Sequence, residues 1–441
     1  MPDSKVQIAS VMRCGALASL VFFGAAVFAQ GAEPSPGGGL ATGPSPYYLG
    51  ASQAFTHDSN AFGIPSGPSD NYSSTSLLAG FDQPLGRQRV FGTARVSANR
   101  YQDLTRLDNT SYGLAAGLDW ATIWKMSGNV SFNLDQGLSP PTATAATPVA
   151  TKNLERRQAI SGLARWGGDS LLTVEGRAGY SRVDYSAAEY VSSESENEVG
   201  SLGLFYRPGT RLRLGAAIRF DRTRSPQAVQ LANGSFQSNE TRGRNIDLLA
   251  DYNNGSNLGA STRLSYTRRK NSDFDSADFS GLTGSFSLAY RATGKINLSV
   301  GAARDAGYNT TSRTLVSVGP ATPATPVLIT TTPVVFENNQ VTNSIYAGAT
   351  YAATAKIGLN AGARYSRARV VTSNAVFNSA SQAEPDVVDK TRGFSLGATY
   401  AFSRAWTFAC SLARDRRELS GAISYGYTDD LASCSAQFLW K

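Results

Sequence analysis

The residues with the clearest potential for chemistry are His57, Asp58 and Ser59, the residue types of a nucleophile triad. The alternating pattern around them predicts a β-strand, in which adjacent side chains point to opposite faces, so the three cannot assemble into a triad. His57 is the single histidine, and three cysteines and three methionines leave little material for nucleophile or metal chemistry. The sequence therefore predicts a protein that is not an enzyme and has no cofactor or metal. Asp58 and Asn60 could bind a cation or fix the loop that follows the strand, and loop fixing is the favoured interpretation.

A series of arginines lies on the polar face of the alternating segments. These candidate pore-lining residues are Arg95, Arg165, Arg177, Arg213, Arg219, Arg263 and Arg364, accompanied on the same face by Asp119, Glu175, Asp221, Asp247, Asp251 and Asp305. In a hydrated channel, such arginines could hold the carboxylates or phosphates of a passing glycan. Alternatively, they could brace the lumen through internal ion pairs. The near balance of signs allows no prediction of ion selectivity.

A second series of arginines lies on the apolar face of the alternating segments. Each of them follows the last apolar residue of its segment. These candidates for a lipopolysaccharide collar are Arg100, Arg182, Arg222, Arg268, Arg304, Arg367 and Arg414. Guanidinium groups suit the phosphates of an outer leaflet of lipopolysaccharide. The alternative is an ordinary basic rim that binds no specific lipid.

The elements that must position these residues form a repeating hairpin. In the segment 200–221, Leu202, Leu204 and Tyr206 alternate with Ser201, Gly203 and Phe205. A tight turn follows, and a second alternating run begins at Leu212. Counting such units gives about eight tight turns and nine long loops, and hence about 18 strands. The long loops include 137–153, 225–239, 308–338 and 372–389. Because backbone groups in lipid must be paired internally, the pattern predicts an all-β, closed antiparallel transmembrane β-barrel with short periplasmic turns and long extracellular loops.

Aromatic residues end the descending strands at one fixed position before the tight turns. They are Trp120, Trp166, Tyr206, Tyr252, Tyr290, Tyr351 and Tyr400. Amphipathic rings at a membrane–water boundary explain this placement, which a soluble β-solenoid or an autotransporter passenger would not show. The sequence therefore predicts location in the outer membrane of a Gram-negative cell.

The N-terminus has the pattern of a targeting segment. Lys5 and Arg13 precede an apolar run at 16–28, and Ala29 fits a small-residue cleavage site, although an uncleaved anchor is the alternative. The predicted division is a signal peptide at 1–29, a flexible periplasmic segment at 30–46 and an outer-membrane β-barrel at 47–441.

Two cysteines fall on the last predicted hairpin. If Arg404 pairs with Trp440, the antiparallel register places Cys410 opposite Cys434 and Trp406 opposite Phe438. Directly opposed residues lie close enough for a disulfide, and the periplasm is oxidising. Free cysteines would also sit comfortably against lipid as small apolar residues. The sequence therefore predicts that the two cysteines are adjacent, and it does not decide between a disulfide and two free thiols.

The segment 54–62, Ala-Phe-Thr-His-Asp-Ser-Asn-Ala-Phe, resembles the aspartate–asparagine–aromatic motif that opens barrels of the β-barrel porin type 2 group. The stretch from Tyr101 to Trp120 is also similar to that group, above all to EpsL-type proteins encoded in exopolysaccharide biosynthesis operons. The likeness covers mainly 49–166. It implies an outer-membrane role in making or exporting a polysaccharide.

Three functions are compatible with these observations. The leading hypothesis is a conduit that passes an exopolysaccharide across the outer membrane, because a barrel of 16 to 18 strands is wide enough for an aqueous passage. The alternatives are a general or small-solute porin and a non-conducting structural barrel of a secretion complex. The expected partners are lipopolysaccharide, a polysaccharide substrate and periplasmic export or biosynthesis proteins, with no nucleic acid.

Overall fold

The computed structural model describes residues 46–139, 152–168, 170–230, 235–272, 278–318, 329–376, 387–420 and 426–440. These residues form a single antiparallel sheet of 18 strands. The first strand pairs with the last over ten residues, from Leu49 opposite Trp440 to Asp58 opposite Leu431. The sheet is therefore closed, and the predicted 18-stranded barrel is confirmed.

The strands follow one another around the barrel in chain order. They are β1 Tyr47–Asp58, β2 Asp70–Leu85, β3 Gln88–Tyr101, β4 Asn109–Ala121, β5 Met126–Leu138, β6 Leu154–Trp166, β7 Leu172–Tyr185, β8 Ser195–Tyr206, β9 Leu212–Gln230, β10 Phe236–Asn253, β11 Leu258–Asn271, β12 Phe279–Arg291, β13 Ile296–Val318, β14 Ile329–Ala352, β15 Ile357–Val376, β16 Val387–Ala401, β17 Trp406–Ser420 and β18 Tyr427–Trp440. Two short 3-10 turns, Thr105–Leu107 and Ala188–Ser193, lie in the β3–β4 and β7–β8 connections.

The two ends of the barrel differ in the length of their connections. Eight short turns lie at the end that also holds the start of β1 and the end of β18, and the other nine connections lie at the opposite end. Gly86 and Gly255 have positive φ angles of 64° and 78°, which an L-residue with a Cβ adopts only at a cost. In outer-membrane barrels the short turns face the periplasm, so the nine other connections face outward from the cell.

The outer face of the barrel is apolar and exposed. On β9, Ile218 and Phe220 point outward, while Arg219 between them points into the lumen. The rings of Trp166 and Tyr206 lie at the periplasmic boundary of this face. An apolar exterior of this kind is stable in contact with lipid acyl chains, and a closed sheet leaves no backbone groups unpaired there. This is therefore a barrel of the outer membrane. No helix within the described ranges is long and apolar enough to cross a membrane.

The hairpins extend further than the sequence pattern predicts. Much of the predicted loop 308–338 is strand, because β13 continues to Val318 and β14 begins at Ile329. Strands also enter the predicted loops 225–239 and 372–389. The alternation of apolar and polar residues ends at the membrane boundary, but the backbone ladder does not need that alternation. Threonine and valine, which favour extended backbone, are frequent in these extensions.

The predicted signal peptide, 1–29, and nearly all of the predicted segment 30–46 lie outside the described residues, and so does most of the predicted loop 137–153. The first strand begins at Tyr47.

Candidate functional site

The seven predicted pore-lining arginines point inward and contact other inward-facing groups. Arg95 donates hydrogen bonds to the hydroxyls of Ser76 and Ser97, at 3.1 Å and 3.0 Å. Arg364 on β15 lies 2.7 Å from the carboxylate of Asp415 on β17. The remaining five lie on the wall formed by β6 to β13, where they form two clusters.

The first cluster, named the Glu175 cluster, lies near the periplasmic turns and consists of Glu175, Arg165, Arg177, Arg213 and Asp251. The side chain of Glu175 is only 1% exposed, and three guanidinium groups surround it. The Arg177 guanidinium lies 3.3 Å from its carboxylate, and Arg165 and Arg213 also form ion pairs with it. Arg213 reaches Asp251 as well, at 3.3 Å. The cluster therefore carries three positive and two negative charges.

Arg213 is held in place by an aromatic ring. Its guanidinium carbon lies 3.6 Å from the centroid of Phe205, a cation–π contact on the lumen wall. Phe205 lies flat against β9 because Gly215 leaves room for it: a Cβ at Gly215 would lie 2.3 Å from the ring. The glycine on the inward face thus determines where the arginine can lie.

The second cluster, named the Asp247 cluster, lies further from the periplasmic turns. Its members are Asp247, Asp221, Asp305, Arg219, Arg263 and Arg269. Arg219 donates two hydrogen bonds to Asp247, of 2.8 Å and 3.2 Å. Arg269 lies 3.2 Å from Asp221, and Arg263 lies 3.6 Å from Asp305. The charges within this cluster balance.

The charged side chains of this wall differ in how much of their surface faces the lumen. The acidic side chains of Glu175, Asp221 and Asp247 are buried beneath arginines. Arg177 is 39% exposed, while Asp251 and Asp305 are 46% and 41% exposed. The wall is therefore braced by ion pairs, as one of the two sequence interpretations has it, and it also presents charged groups to water.

The remaining wall is lined mainly by small polar residues. Its inward positions include Ser52, Ser76, Ser97, Ser111, Asn129, Gly348, Asn360, Gly397, Ser411 and Ser433. Direct cross-strand hydrogen bonds between hydroxyls recur, for example Ser76 with Ser97 at 2.8 Å. Short hydroxyl and amide side chains leave space along the axis and offer hydrogen bonds to water.

Further inward arginines fall outside the predicted set. Arg157 pairs with Glu155, Arg417 pairs with Asp389, and Arg269 belongs to the Asp247 cluster. They lie on the polar parity toward the extracellular ends of their strands. The sequence could have revealed them only through the alternation of side chains between the two faces, followed beyond the last apolar residue of each strand. Because Arg268 points outward, Arg269 must point inward.

The segment 54–62, which carries the family resemblance, fixes the first outer loop. His57 lies on the outer face, where its Nδ1 is 2.8 Å from Asn71 Oδ1. Asp58 accepts a hydrogen bond of 2.8 Å from the Asn60 backbone N–H. The Asn60 amide donates to the carbonyls of Ile64 and Thr428, at 2.8 Å and 3.0 Å, and so ties the loop to β18. Among the described residues, no three histidine, cysteine or acidic side chains are grouped as a metal site would require.

Asp58 also forms a carboxyl pair across the seam of the barrel. Its carboxyl group lies beside that of Asp429 on β18, above the last apolar outward residues of both strands. Burial and the neighbouring Asp58 carboxyl raise the pKa of Asp429 well above the ordinary carboxyl range. Burial raises the pKa of Asp58 as well. Both carboxyl groups are therefore harder to ionise than ordinary carboxyl groups.

The predicted collar arginines point outward, but their surroundings differ. Four lie near carboxylates: Arg100 with Asp108, Arg182 with Asp184 and Glu196, Arg222 with Glu198 and Glu240, and Arg414 with Asp430. Arg304 donates to the Asn343 side chain and to the carbonyl of Leu282. Arg268 and Arg367 have no ion pair with any described residue.

Cys410 and Cys434 face each other on β17 and β18 in the predicted register, with Trp406 opposite Phe438. The two sulfurs are joined as a disulfide, and the Cα atoms are 4.1 Å apart. The pair lies on the outer, lipid-facing parity. It therefore does not touch the lumen.

Comparison with known proteins finds distant structural likenesses. The outer membrane protein OpdK (OccK1) of Pseudomonas aeruginosa is 13% identical with a TM-score of 0.46, over 89% of this chain and 99% of that chain. OpdL of the same organism is 14% identical with a TM-score of 0.41, over 90% and 98%. The siderophore receptor PirA of Acinetobacter baumannii is 8% identical with a TM-score of 0.41, over 89% and 80%. No protein-family model matches the chain, and no curated protein matches it in sequence.

Proposed function

We propose that this barrel is a porin, a water-filled passage through which small hydrophilic solutes diffuse across the outer membrane. The observation that carries the proposal is the state of the inward charged side chains. Arg177, Asp251 and Asp305 point into the barrel and keep about two fifths of their side-chain surface exposed. Side chains packed against one another across a filled interior would lose that exposure.

The same side chains already have partners within the wall. Arg177 pairs with Glu175, and Asp305 pairs with Arg263. Because each of these side chains has a partner of opposite charge, a passing solute does not have to neutralise an unpaired buried ion. The wall therefore has no reason to hold a solute tightly. Hydroxyls and amides on the opposite wall can exchange hydrogen bonds with water and sugars at little cost. Passive diffusion with weak selectivity is the behaviour that such a wall supports.

Two other functions predicted from the sequence need different features. Export of an exopolysaccharide rests on the resemblance in 49–166. One of the motifs that carry it, at 54–62, fixes a loop in this structure. A non-conducting barrel would need an interior filled by side chains or loops. Solute uptake and surface polysaccharide distinguish both of these functions from that of a porin.

Swelling of proteoliposomes in a graded series of sugars tests the proposal. Liposomes that contain the folded barrel are expected to swell in monosaccharides and disaccharides, at rates that fall with solute size, whereas empty liposomes do not swell. No swelling with any sugar would favour the non-conducting barrel. Deletion of the protein gives the complementary result: slower uptake of small solutes with normal surface polysaccharide supports the porin, and loss of surface polysaccharide with normal uptake supports export.

A further inference from the structure

Six basic side chains lie together on the outer face of β9, β10 and β11. This outer basic cluster consists of Arg222, Arg224, Arg242, Arg244, Arg268 and Lys270. Only Arg222 and Arg268 belong to the collar predicted from the sequence. The other four also point outward, and they extend the group over the β9–β10 and β10–β11 hairpins.

Within the cluster, like charges lie directly opposite each other. Arg244 on β10 is paired with Arg268 on β11, and Arg242 is paired with Lys270 one step further out. Directly opposed residues on adjacent strands have Cα atoms about 4.5–5.5 Å apart, and like charges in such positions are destabilising. An arrangement of this kind is expected where an external anion compensates the repulsion.

The acidic residues near the cluster do not neutralise it. Glu240 accepts hydrogen bonds from both Arg222 and Arg242, and Glu198 lies 3.7 Å from Arg222. Arg244 and Arg268 form no ion pair with any residue that the structure describes. The positive charge is therefore concentrated on the β10–β11 hairpin.

The cluster begins where the apolar outer surface ends. On β10, the next outward residue toward the membrane centre from Arg244 is Ile246, which is 61% exposed. On β11, the next outward residue toward the membrane centre from Arg268 is Tyr266. On β9, Phe220 lies opposite Arg244 and is also outward and exposed. Apolar side chains contact acyl chains, so the guanidinium groups lie at the height of the lipid head groups on the extracellular side.

We propose that the outer basic cluster binds the phosphate groups of lipopolysaccharide, the phosphorylated glycolipid of the outer leaflet. Guanidinium groups bind phosphate oxygens in bidentate fashion, and Arg244 and Arg268 lie side by side, as a single phosphate between them would require. Acyl chains of the same lipid would lie along Ile246 and Tyr266. The site is separate from the lumen, and it does not depend on the proposed porin function.

Lipopolysaccharide binding to wild type and to R244Q/R268Q tests the site, with both barrels refolded in detergent free of that lipid. The variant is expected to bind about tenfold more weakly or worse, as loss of at least one charge-assisted contact implies. The matched control is R182Q/R414Q, which removes two outward arginines at the same boundary that already pair with carboxylates. Its binding is expected to equal that of wild type.

A second probe and a folding check complete the experiment. Lipopolysaccharide stripped of its phosphates is expected to bind wild type as weakly as intact lipid binds R244Q/R268Q. Without lipid, R244Q/R268Q should melt no lower than wild type, because it loses a repulsive pair, and added lipopolysaccharide should raise the melting temperature of wild type more. Equal binding by wild type and R244Q/R268Q, an equal loss in R182Q/R414Q, or undiminished binding of phosphate-free lipid would each overturn the proposal.

Discussion

Glu175 on β7 and Arg213 on β9 form an ion pair that passes over the intervening strand β8. The residue of β8 opposite Glu175 is Gly203, which has no side chain to block the contact. The lumen wall is thus connected between strands that are not hydrogen-bonded to each other. Bracing of this kind keeps a wide barrel in shape without filling its interior.

Replacement of Glu175 by Gln should destabilise the barrel strongly. Three guanidinium groups surround this buried carboxylate, and removing one partner of a buried ion pair costs about 3–5 kcal/mol in the free energy of unfolding. The control is E198Q, because Glu198 pairs with Arg222 on the exposed outer face, where a pair contributes at most about 1 kcal/mol. Urea unfolding in detergent measures both changes, and equal stability of the two variants would contradict the bracing role.

Replacement of Arg177 by Gln should shift ion selectivity toward cations. Arg177 is the most exposed cation of the Glu175 cluster. Positive charges outnumber negative ones in this lumen cluster, whereas they balance in the Asp247 cluster. The reversal potential in a salt gradient measures the shift, which we expect to be modest because the ion pairs screen one another. R242Q, on the outer face, should leave the reversal potential unchanged. An R177Q value equal to wild type would place this cluster outside the ion path.

The seam between β1 and β18 should be sensitive to pH. Because the pKa of Asp429 is raised in the folded protein, its stabilising contribution is present at low pH and is lost as the pH rises through that raised pKa. Wild type should therefore melt at a lower temperature at about pH 9 than at about pH 6, and D429N should lose much of that difference. D430N, which alters the outward neighbour, should retain it. Identical pH profiles of D429N and wild type would show that the pair does not hold a proton.

The Cys410–Cys434 disulfide should stabilise the last hairpin without affecting passage. Alkylation of denatured, unreduced protein should label neither cysteine, and two labels would show that the bond is absent. The C410A/C434A variant should lose up to about 3 kcal/mol of stability, since the bond constrains the unfolded chain. Its conductance should match that of wild type because the pair faces lipid.

The sequence predicts the features of this barrel that depend on one strand or one hairpin. Parity places Arg219 inside and Ile218 outside, and the last turn places Cys410 opposite Cys434. Contacts that cross a strand are different. The pair between Glu175 and Arg213 depends on the stagger of three neighbouring strands, which alternation along one strand does not contain.

The same limit explains the collar. Whether an outward arginine is neutralised depends on the residue opposite it, so the sequence could not separate Arg414, opposite Asp430, from Arg268, opposite Arg244. The predicted bounds of loops such as 308–338 were wrong for a related reason: the pattern of membrane-facing residues ends before the hydrogen-bonded ladder does.

The central claim, that the barrel is an open and hydrated passage, is tested most directly by single-channel recording in a planar lipid bilayer. Addition of the purified, folded barrel should produce discrete upward steps of current, and the step size should rise with the salt concentration as expected for a water-filled pore. Folded protein that inserts into the bilayer and gives no current steps would contradict the account.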